Sequence, residues 1–291
     1  MSTVAATVPA DTTRRRSAWS LLKATGPAGI AAAIVIVVAT FVAIFGPLLA
    51  PFDPTNSDLS LSWVAPTGAH VLGFDGQGRD LLSRLLAGAR TSLLGPLAVV
   101  ILCMLAGTVL AVTAAWRKGA VDATISSGLD IMFAFPGILL AVLAAAVFGA
   151  GLLAAAIALA IAYTPYVARV LRGAALKERS QQYVAALEVQ GASATTICMR
   201  HLIPNMLPLI VAQSTILFGY AMVDLAAISF LGLGVQPPAP DWGVMISENQ
   251  AGIVQGYPLS ALLPGLCIVA VVVAFNILGE RLFEQAQKAR Q

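Results

Sequence analysis

Charge is the scarcest property of this 291-residue chain: Asp, Glu, Lys and Arg together make up 11% of it, against 58% hydrophobic residues. An ordinary soluble domain carries roughly 25% charged residues. So few charged residues cannot cover the surface of a soluble 30.0 kDa globule. The high proportion of apolar residues excludes a disordered chain. The net charge of +3 is too small to indicate a nucleic-acid binder.

Cysteine and histidine are also rare. Cys103, Cys198 and Cys267 are odd in number, far apart and surrounded by apolar residues, which favours buried hydrophobic side chains over a disulfide set or a metal site. His70 and His201 have no partners at ligand spacing. We therefore expect no bound metal and no cofactor, and we find no residue cluster suited to a membrane-embedded enzyme.

Long charge-free runs are what the sequence has in abundance. A helix needs about 20 apolar residues to cross a bilayer. Five runs contain no Asp, Glu, Lys, Arg or His: 24–52, 91–116, 131–168, 202–223 and 249–279. The third is long enough for two spans and would turn at Gly149-Ala150-Gly151, because glycine relieves the backbone at a tight reversal. The sequence therefore predicts an all-α membrane protein with six transmembrane helices.

The distribution of lysine and arginine predicts the orientation. With the N-terminus in the cytoplasm, 14 of the 17 cationic residues lie in inside segments and 3 lie outside. Both termini are then cytoplasmic. We divide the chain into a cytoplasmic tail (1–24), a first span (25–52), an extracytoplasmic loop (53–90) and a core with spans two to six (91–290).

The end of the outer loop has the pattern of a short amphipathic helix, over residues 79–90. One face would carry Leu81, Leu82, Leu85, Leu86 and Ala89. Ser83 and Arg84 lie off that face, so we expect the helix to rest on the membrane or against the bundle. The glycine-rich stretch before it, residues 73–78, lacks the phosphate-loop pattern, and any ATP must bind to another chain.

Asp224 is an ionisable residue near the outer end of the fifth span. Such a group is costly unless it faces water or a partner. Three interpretations stay open: a structural role at an interface or between subunits, a place lining or gating a translocation path, and simple exposure.

One inner loop, residues 177–201, is too polar to span and too long for a simple connector. Its pattern predicts two short helices joined at Gly191, with Ser193 capping the second. Pro204 follows near the start of span five, where a missing N–H costs little.

This loop resembles the cytoplasmic "EAA" loop of ABC-importer permeases, EAA-x3-G-x9-I-x-L-P. Gly191 and Pro204 keep the spacing of 13 that the pattern requires. The Glu-Ala-Ala positions fall on Ala185, Ala186 and Leu187, so the glutamate is absent and one alanine is replaced by leucine.

Two further segments narrow the resemblance. Residues 70–84 are similar to the "HPLGTDxxGRDxLSR" stretch of dipeptide and oligopeptide permeases, with Val71 and Phe74 replacing Pro and Thr. Residues 229–243 are similar to their "SFLGLGxQPPxPxWG" stretch. The resemblance covers about residues 25–290 and indicates the C-type permease subunit of dipeptide, oligopeptide or nickel ABC importers.

The resemblance implies a type I ABC-importer permease in the bacterial plasma (inner) membrane that takes up peptides by alternating access. Its partners would be a second permease, two cytoplasmic ATPase subunits or domains and an external binding protein. The residues contacting the ATPase would be Ala185, Ala186, Leu187, Gly191 and Ala192. The chain itself would perform no catalysis. Alternatives are a permease for nickel or another small solute and, less favoured, a non-ABC secondary transporter.

Overall fold

The computed structural model describes residues 26–288, so the predicted tail, 1–24, lies outside the described residues. Every secondary-structure element assigned within this range is a helix, which confirms the all-α prediction. In chain order the helices are α1 (Gly26–Leu49), α2 (Leu81–Arg117), α3 (Gly119–Phe133), α4 (Gly137–Phe148), α5 (Leu152–Arg179), α6 (Gln182–Val189), α7 (Ala194–Ile197), α8 (Ile203–Phe230), α9 (Trp242–Glu248), α10 (Gln250–Val254) and α11 (Leu259–Lys288).

Five helices in this range are long and apolar enough to cross a membrane: α1, α2, α5, α8 and α11. The sixth candidate span is not one straight helix, because α3 and α4 are bent by 81° at a short break. Pro136 lies at that break and caps α4. Proline lacks an N–H and disfavours helix at the residue before it, which gives the interruption a local cause.

The predicted reversal at Gly149-Ala150-Gly151 is present between α4 and α5. Gly149 ends α4 with a φ of +87°, a conformation that favours glycine. The amide of Gly151 donates to the carbonyl of Leu233 at 3.1 Å, so the connection after α8 meets this turn.

The long helices pack closely where small residues occur. A Cβ on Gly107 of α2 would lie 2.5 Å from Val167 Cγ1 of α5, and one on Gly279 of α11 would lie 2.8 Å from Ile216 Cγ1 of α8. Small residues allow two helix backbones to approach closely. Membrane helices depend on such packing contacts because the hydrophobic effect does little to hold helices together in lipid. Any side chain at these two glycines would separate the helices.

The predicted amphipathic helix at residues 79–90 is not a separate element. It is the first part of α2, a continuous 37-residue helix that begins after Asp80, whose carboxylate accepts from the Ser83 amide at 2.8 Å. The prediction that Ser83 and Arg84 lie away from the buried face is wrong, because both are fully buried. Tertiary partners of these polar groups, described below, explain the difference.

The bundle has two distinct ends. The end called here the α6 end carries α6, α7 and the last turns of α2 and α5. The opposite end, the α9 end, carries the segment 50–80, α9 and α10. Alternation of the long helices places the predicted inner loop at one end and the predicted outer loop at the other.

Candidate coupling surface and membrane-embedded polar groups

The loop at the α6 end has the two predicted short helices. Gly191 follows α6 with a φ of +79°, which an L side chain rarely adopts. Ser193 caps α7 by accepting from the Thr196 amide at 3.2 Å. A π-helical turn, Cys198–Leu202, then leads into α8, where Pro204 lies in the first turn.

The five residues predicted to contact an ATPase lie together on this loop. Ala185, Ala186 and Gly191 are exposed, and Leu187 and Ala192 are half-buried. Two further apolar side chains of the same loop, which the sequence reasoning did not select, are also exposed: Val189 is 90% exposed and Met199 is 63% exposed. Within the described chain this apolar surface is therefore uncovered at the end of the bundle.

A polar triad anchors the start of the loop. The Tyr183 hydroxyl donates to Glu178 Oε1 at 2.8 Å, and Asn205 Nδ2 donates to the same oxygen at 2.9 Å. Asn205 also lies 3.1 Å from the Tyr183 hydroxyl. Burial, followed by the bond to Glu178, raises the pKa of Tyr183. Val184, 1% exposed, anchors the other face of α6.

Arg179 ties the same loop to the end of α2. Its Nη1 donates to the carbonyl of Ala115 at 2.8 Å and also to that of Trp116, and its guanidinium lies 4.6 Å from the centre of the Trp116 ring. The last carbonyls of a helix have no partners within it, so an arginine stabilises them. Sequence reasoning missed this contact because the partners are 63 and 64 residues apart.

A buried ionic cluster occupies the α9 end. Arg79 binds Asp75 and Glu248 at 2.8 and 2.7 Å, and Arg84 binds Glu248 at 2.9 Å and approaches Asp75 at 3.4 Å. Arg84 Nη1 also donates to the carbonyl of Pro54 at 3.1 Å. Burial lowers the pKa of Arg79, but the hydrogen bonds and charges of Glu248 and Asp75 outweigh it and raise the pKa overall. The four charges join the segment before α2 to α9.

Further contacts strengthen that junction. The Gly76 amide donates to Asn249 Oδ1 at 3.0 Å, and Asn249 is fully buried. The Trp63 ring stacks on Tyr257 with centroids 5.5 Å apart and also contacts Gly252. The segment 50–80 and the helices α9 and α10 therefore form one connected cap over this end.

The segment that follows α8 is fixed to α2 as well. Asp241 caps α9 and accepts from Ser92 Oγ at 2.7 Å, and the Trp242 indole donates to the carbonyl of Leu85 at 3.0 Å. Burial raises the pKa of Asp241, while bonds from Ser92 and the α9 amides oppose the shift. The two outer motifs singled out in the sequence, residues 70–84 and 229–243, thus pack around the same end of α2.

Within the described part of the chain, Asp224 makes no hydrogen bond or ion pair with either cluster. It lies within α8, half-buried, and its Oδ2 accepts from the hydroxyl of Tyr163 of α5 at 2.6 Å. Sequence reasoning singled out Asp224 but not Tyr163, since a lone tyrosine in an apolar run is unremarkable. Among the described residues, no group of three or more potential metal ligands is present.

Residues 77–289 match the family described as the binding-protein-dependent transport system inner membrane component. The chain belongs to this family. Residues 15–66 also match the N-terminal transmembrane domain of oligopeptide transport permease C.

Similar proteins agree with that assignment. The chain is 37% identical to a dipeptide transport system permease protein, DppC, of Alkalihalophilus pseudofirmus over 86% of this chain and 82% of that protein. It is 37% identical to a glutathione transport system permease protein, GsiD, of Pectobacterium atrosepticum over 87% and 84%. It is 39% identical to a di/tripeptide transport system permease protein, DppC, of Pseudomonas aeruginosa over 83% and 82%.

A solved structure supports the fold. The inward-facing MetNI methionine ABC transporter superposes with a TM-score of 0.57 at 21% identity, covering 70% of this chain and 96% of that chain. Taken with the family match, this makes the chain a multi-pass permease subunit of an ABC importer, as the sequence motifs predicted.

Proposed function

We propose that this permease imports short peptides. The similar permeases are named for dipeptides, di- and tripeptides and glutathione, which is itself a tripeptide. The shared chemistry is a small solute with amide groups and charged ends. Peptide import is therefore favoured over import of nickel or of an unrelated solute.

We further propose that the α6 end faces the cytoplasm of a bacterial cell and that the chain lies in its plasma (inner) membrane. An excess of cationic residues marks the cytoplasmic side of membrane proteins. The described cationic residues at the α6 end are Arg117, Lys118, Arg169, Arg172, Lys177, Arg179, Arg200 and Arg281, against Arg79, Arg84 and Arg90 at the α9 end. With the helix order observed, both termini are then cytoplasmic.

The uncovered apolar surface on a firmly anchored loop carries the functional proposal. This surface docks into a cleft of a cytoplasmic ATPase by helix-in-groove recognition. The residues that make the contact are Ala185, Ala186, Leu187, Gly191 and Ala192. Small side chains at the exposed positions allow close approach of the partner. The anchors at Tyr183 and Arg179 would pass a displacement of α6 directly into α8 and α2.

In this scheme the chain performs no covalent chemistry. Two ATPase subunits or domains bind and hydrolyse ATP, a second permease completes the path, and an external binding protein delivers the peptide at the α9 end. The contribution of this chain is a difference in conformational free energy between inward-facing and outward-facing states, which ligands and partners shift. Asp224 lines or gates the path.

Gly191→Trp tests the docking proposal in the complete importer, reconstituted in liposomes with its partners. We expect normal insertion but loss of peptide uptake, with ATP hydrolysis no longer coupled to it. Because Gly191 has a positive φ, Gly191→Ala is the matched control: it introduces the same backbone strain without the bulk. Ala186→Trp adds bulk at an exposed helical position without that strain.

The proposal predicts that both tryptophan variants lose uptake and that Gly191→Ala retains most of it. Normal uptake in Gly191→Trp and Ala186→Trp would rule out docking at this surface. A chain that purifies alone as a transport-competent unit would contradict the ATPase partnership altogether.

A further inference from the structure

Polar side chains of α5 and α8 meet at two points inside the membrane-spanning bundle, and we call this set the polar seam. The polar seam consists of Tyr163 and Tyr166 of α5 with Gln213, Tyr220 and Asp224 of α8. Tyr163 donates to Asp224 Oδ2 at 2.6 Å, and the Tyr166 hydroxyl reaches Gln213 Oε1 at 3.4 Å. At these two points α5 and α8 therefore meet through hydroxyl, amide and carboxylate groups.

The spacing places the seam within the length of α8 and on one face of it. Gln213, Tyr220 and Asp224 are separated by seven and four residues, so they share a face of α8. Asp224 is six residues from the end of α8 and Gln213 is 17, or roughly 9 and 26 Å along the axis. Tyr220 is 61% exposed and Tyr166 is 40% exposed, so the seam is open along one side of this chain.

The carboxylate of Asp224 has little support from its own chain. Its one bond to another described residue is the one to Tyr163, and Oδ1 takes no hydrogen bond from the described residues. A carboxylate facing hydrocarbon is costly, and acidic groups at this depth face a water-filled cavity or a cation. No described lysine, arginine or histidine pairs with Asp224, so a cation that faced it would come from outside this part of the chain.

We propose that the polar seam lines the path and that Asp224 binds the α-ammonium group of the passing peptide. This inference rests on the proposed peptide import. An unmodified peptide carries one ammonium group at its N-terminus and amide groups along its backbone. Tyrosine hydroxyls and the glutamine amide each donate and accept hydrogen bonds, so the seam matches both parts of that ligand.

Tyr163 has a positioning role in this arrangement. Its hydroxyl holds Oδ2 of Asp224 and leaves Oδ1 directed to a ligand. Asparagine at position 224 keeps an acceptor for Tyr163 but loses the charge, whereas glutamate keeps the charge. The pair Asp224→Asn and Asp224→Glu therefore separates recognition of a cation from a purely structural hydrogen bond.

The test is peptide uptake by the complete importer in liposomes, with the binding protein supplied fully loaded. A free dipeptide is compared with its N-acetylated form, the pair being chosen by titration so that both saturate the binding protein. Asp130→Asn is the matched control, because Asp130 pairs with Arg169 at 2.6 Å at the exposed α6 end. Co-purification of the second permease is measured for every variant.

We expect Asp224→Asn to lower uptake of the free dipeptide about tenfold, since a bond between two charged groups is lost. Uptake of the N-acetylated form should stay within about twofold of the parent. Asp224→Glu should recover much of the lost uptake, and Tyr163→Phe should cause a smaller loss with the same dependence on the free amino group. Asp130→Asn should not distinguish the two peptides.

Three results would overturn the assignment. Equal loss for both peptides in Asp224→Asn would make Asp224 a structural or gating residue. Unchanged uptake of both would remove it from the path. Loss of the second permease on purification would make Asp224 a contact between the two subunits. If the unaltered importer carries neither peptide, the proposed peptide import itself fails, and this inference fails with it.

Discussion

Replacing Arg84 with methionine removes a fully buried charge from the α9 end. The side chain is fully buried and links Glu248, Asp75 and the carbonyls of Pro54 and Pro238. Methionine keeps much of the length and apolar contact of the arginine stem. The change therefore tests the charge and its hydrogen bonds more than the volume of the residue.

The expected cost follows from what the substitution leaves behind. Removing one partner of a buried ion pair destabilises by about 3–5 kcal/mol, because the other charge stays buried. Here Arg79 still binds both Glu248 and Asp75, at 2.7 and 2.8 Å, so the loss should be near the lower value, about 3 kcal/mol. For a chain of this size that corresponds to a fall of roughly 6–12 °C in the unfolding midpoint.

The assay is thermal unfolding of the purified importer in detergent, followed by tryptophan fluorescence, with Arg90→Met as the control. Arg90 lies on the same helix but is exposed, so its replacement should change the unfolding free energy by no more than about 0.5 kcal/mol. Glu248→Met and the double variant complete a cycle in which the double loss should be smaller than the sum. Equal midpoints for Arg84→Met and Arg90→Met would refute the reasoning.

Two further predictions concern the two ends of the bundle. Gly78→Ala should destabilise by at least about 2 kcal/mol, because its φ is +69° and a Cβ would lie 1.7 Å from the carbonyl oxygen of Asp58. Gly68→Ala, where nothing lies within 4 Å, should leave the same melting midpoint unchanged. Arg179→Gln should lower uptake severalfold while the ATPase still co-purifies, because the loop loses its bond to the end of α2. The control is Lys177→Gln, at an exposed position of the same helix. An effect of Arg179→Gln no larger than that of the control would argue against this linkage.

The sequence predicted local features well. Gly191 and Ser193 mark the joint and the cap of the loop helices, and both roles depend on neighbours within a few residues. The reversal after Phe148 likewise follows from adjacent glycines. These features could be recognised because turn and cap chemistry is local in the chain.

The sequence was a poor guide to the direction that a helix takes after a break and to contacts between residues far apart in the chain. Pro136 marks where the helix between α3 and α4 is interrupted, but a proline in an apolar run does not reveal that the two parts meet at 81°. Arg84 looked like a surface residue of an amphipathic helix because its partner, Glu248, is 164 residues away. Tyr163 gave no signal until α5 and α8 brought it to Asp224.

Composition and charge placement alone determined that this chain is an α-helical membrane protein, and its motifs identified an ABC-importer permease. The membrane-protein character follows from the free-energy cost of placing charges and unpaired backbone groups in hydrocarbon. That cost applies to each segment separately, so it can be assessed from the sequence. Only the tertiary structure decided which polar groups meet: the buried ionic cluster, the Arg179 link and the polar seam. Each joins residues far apart in the chain, so its existence depends on how the helices pack rather than on any local pattern.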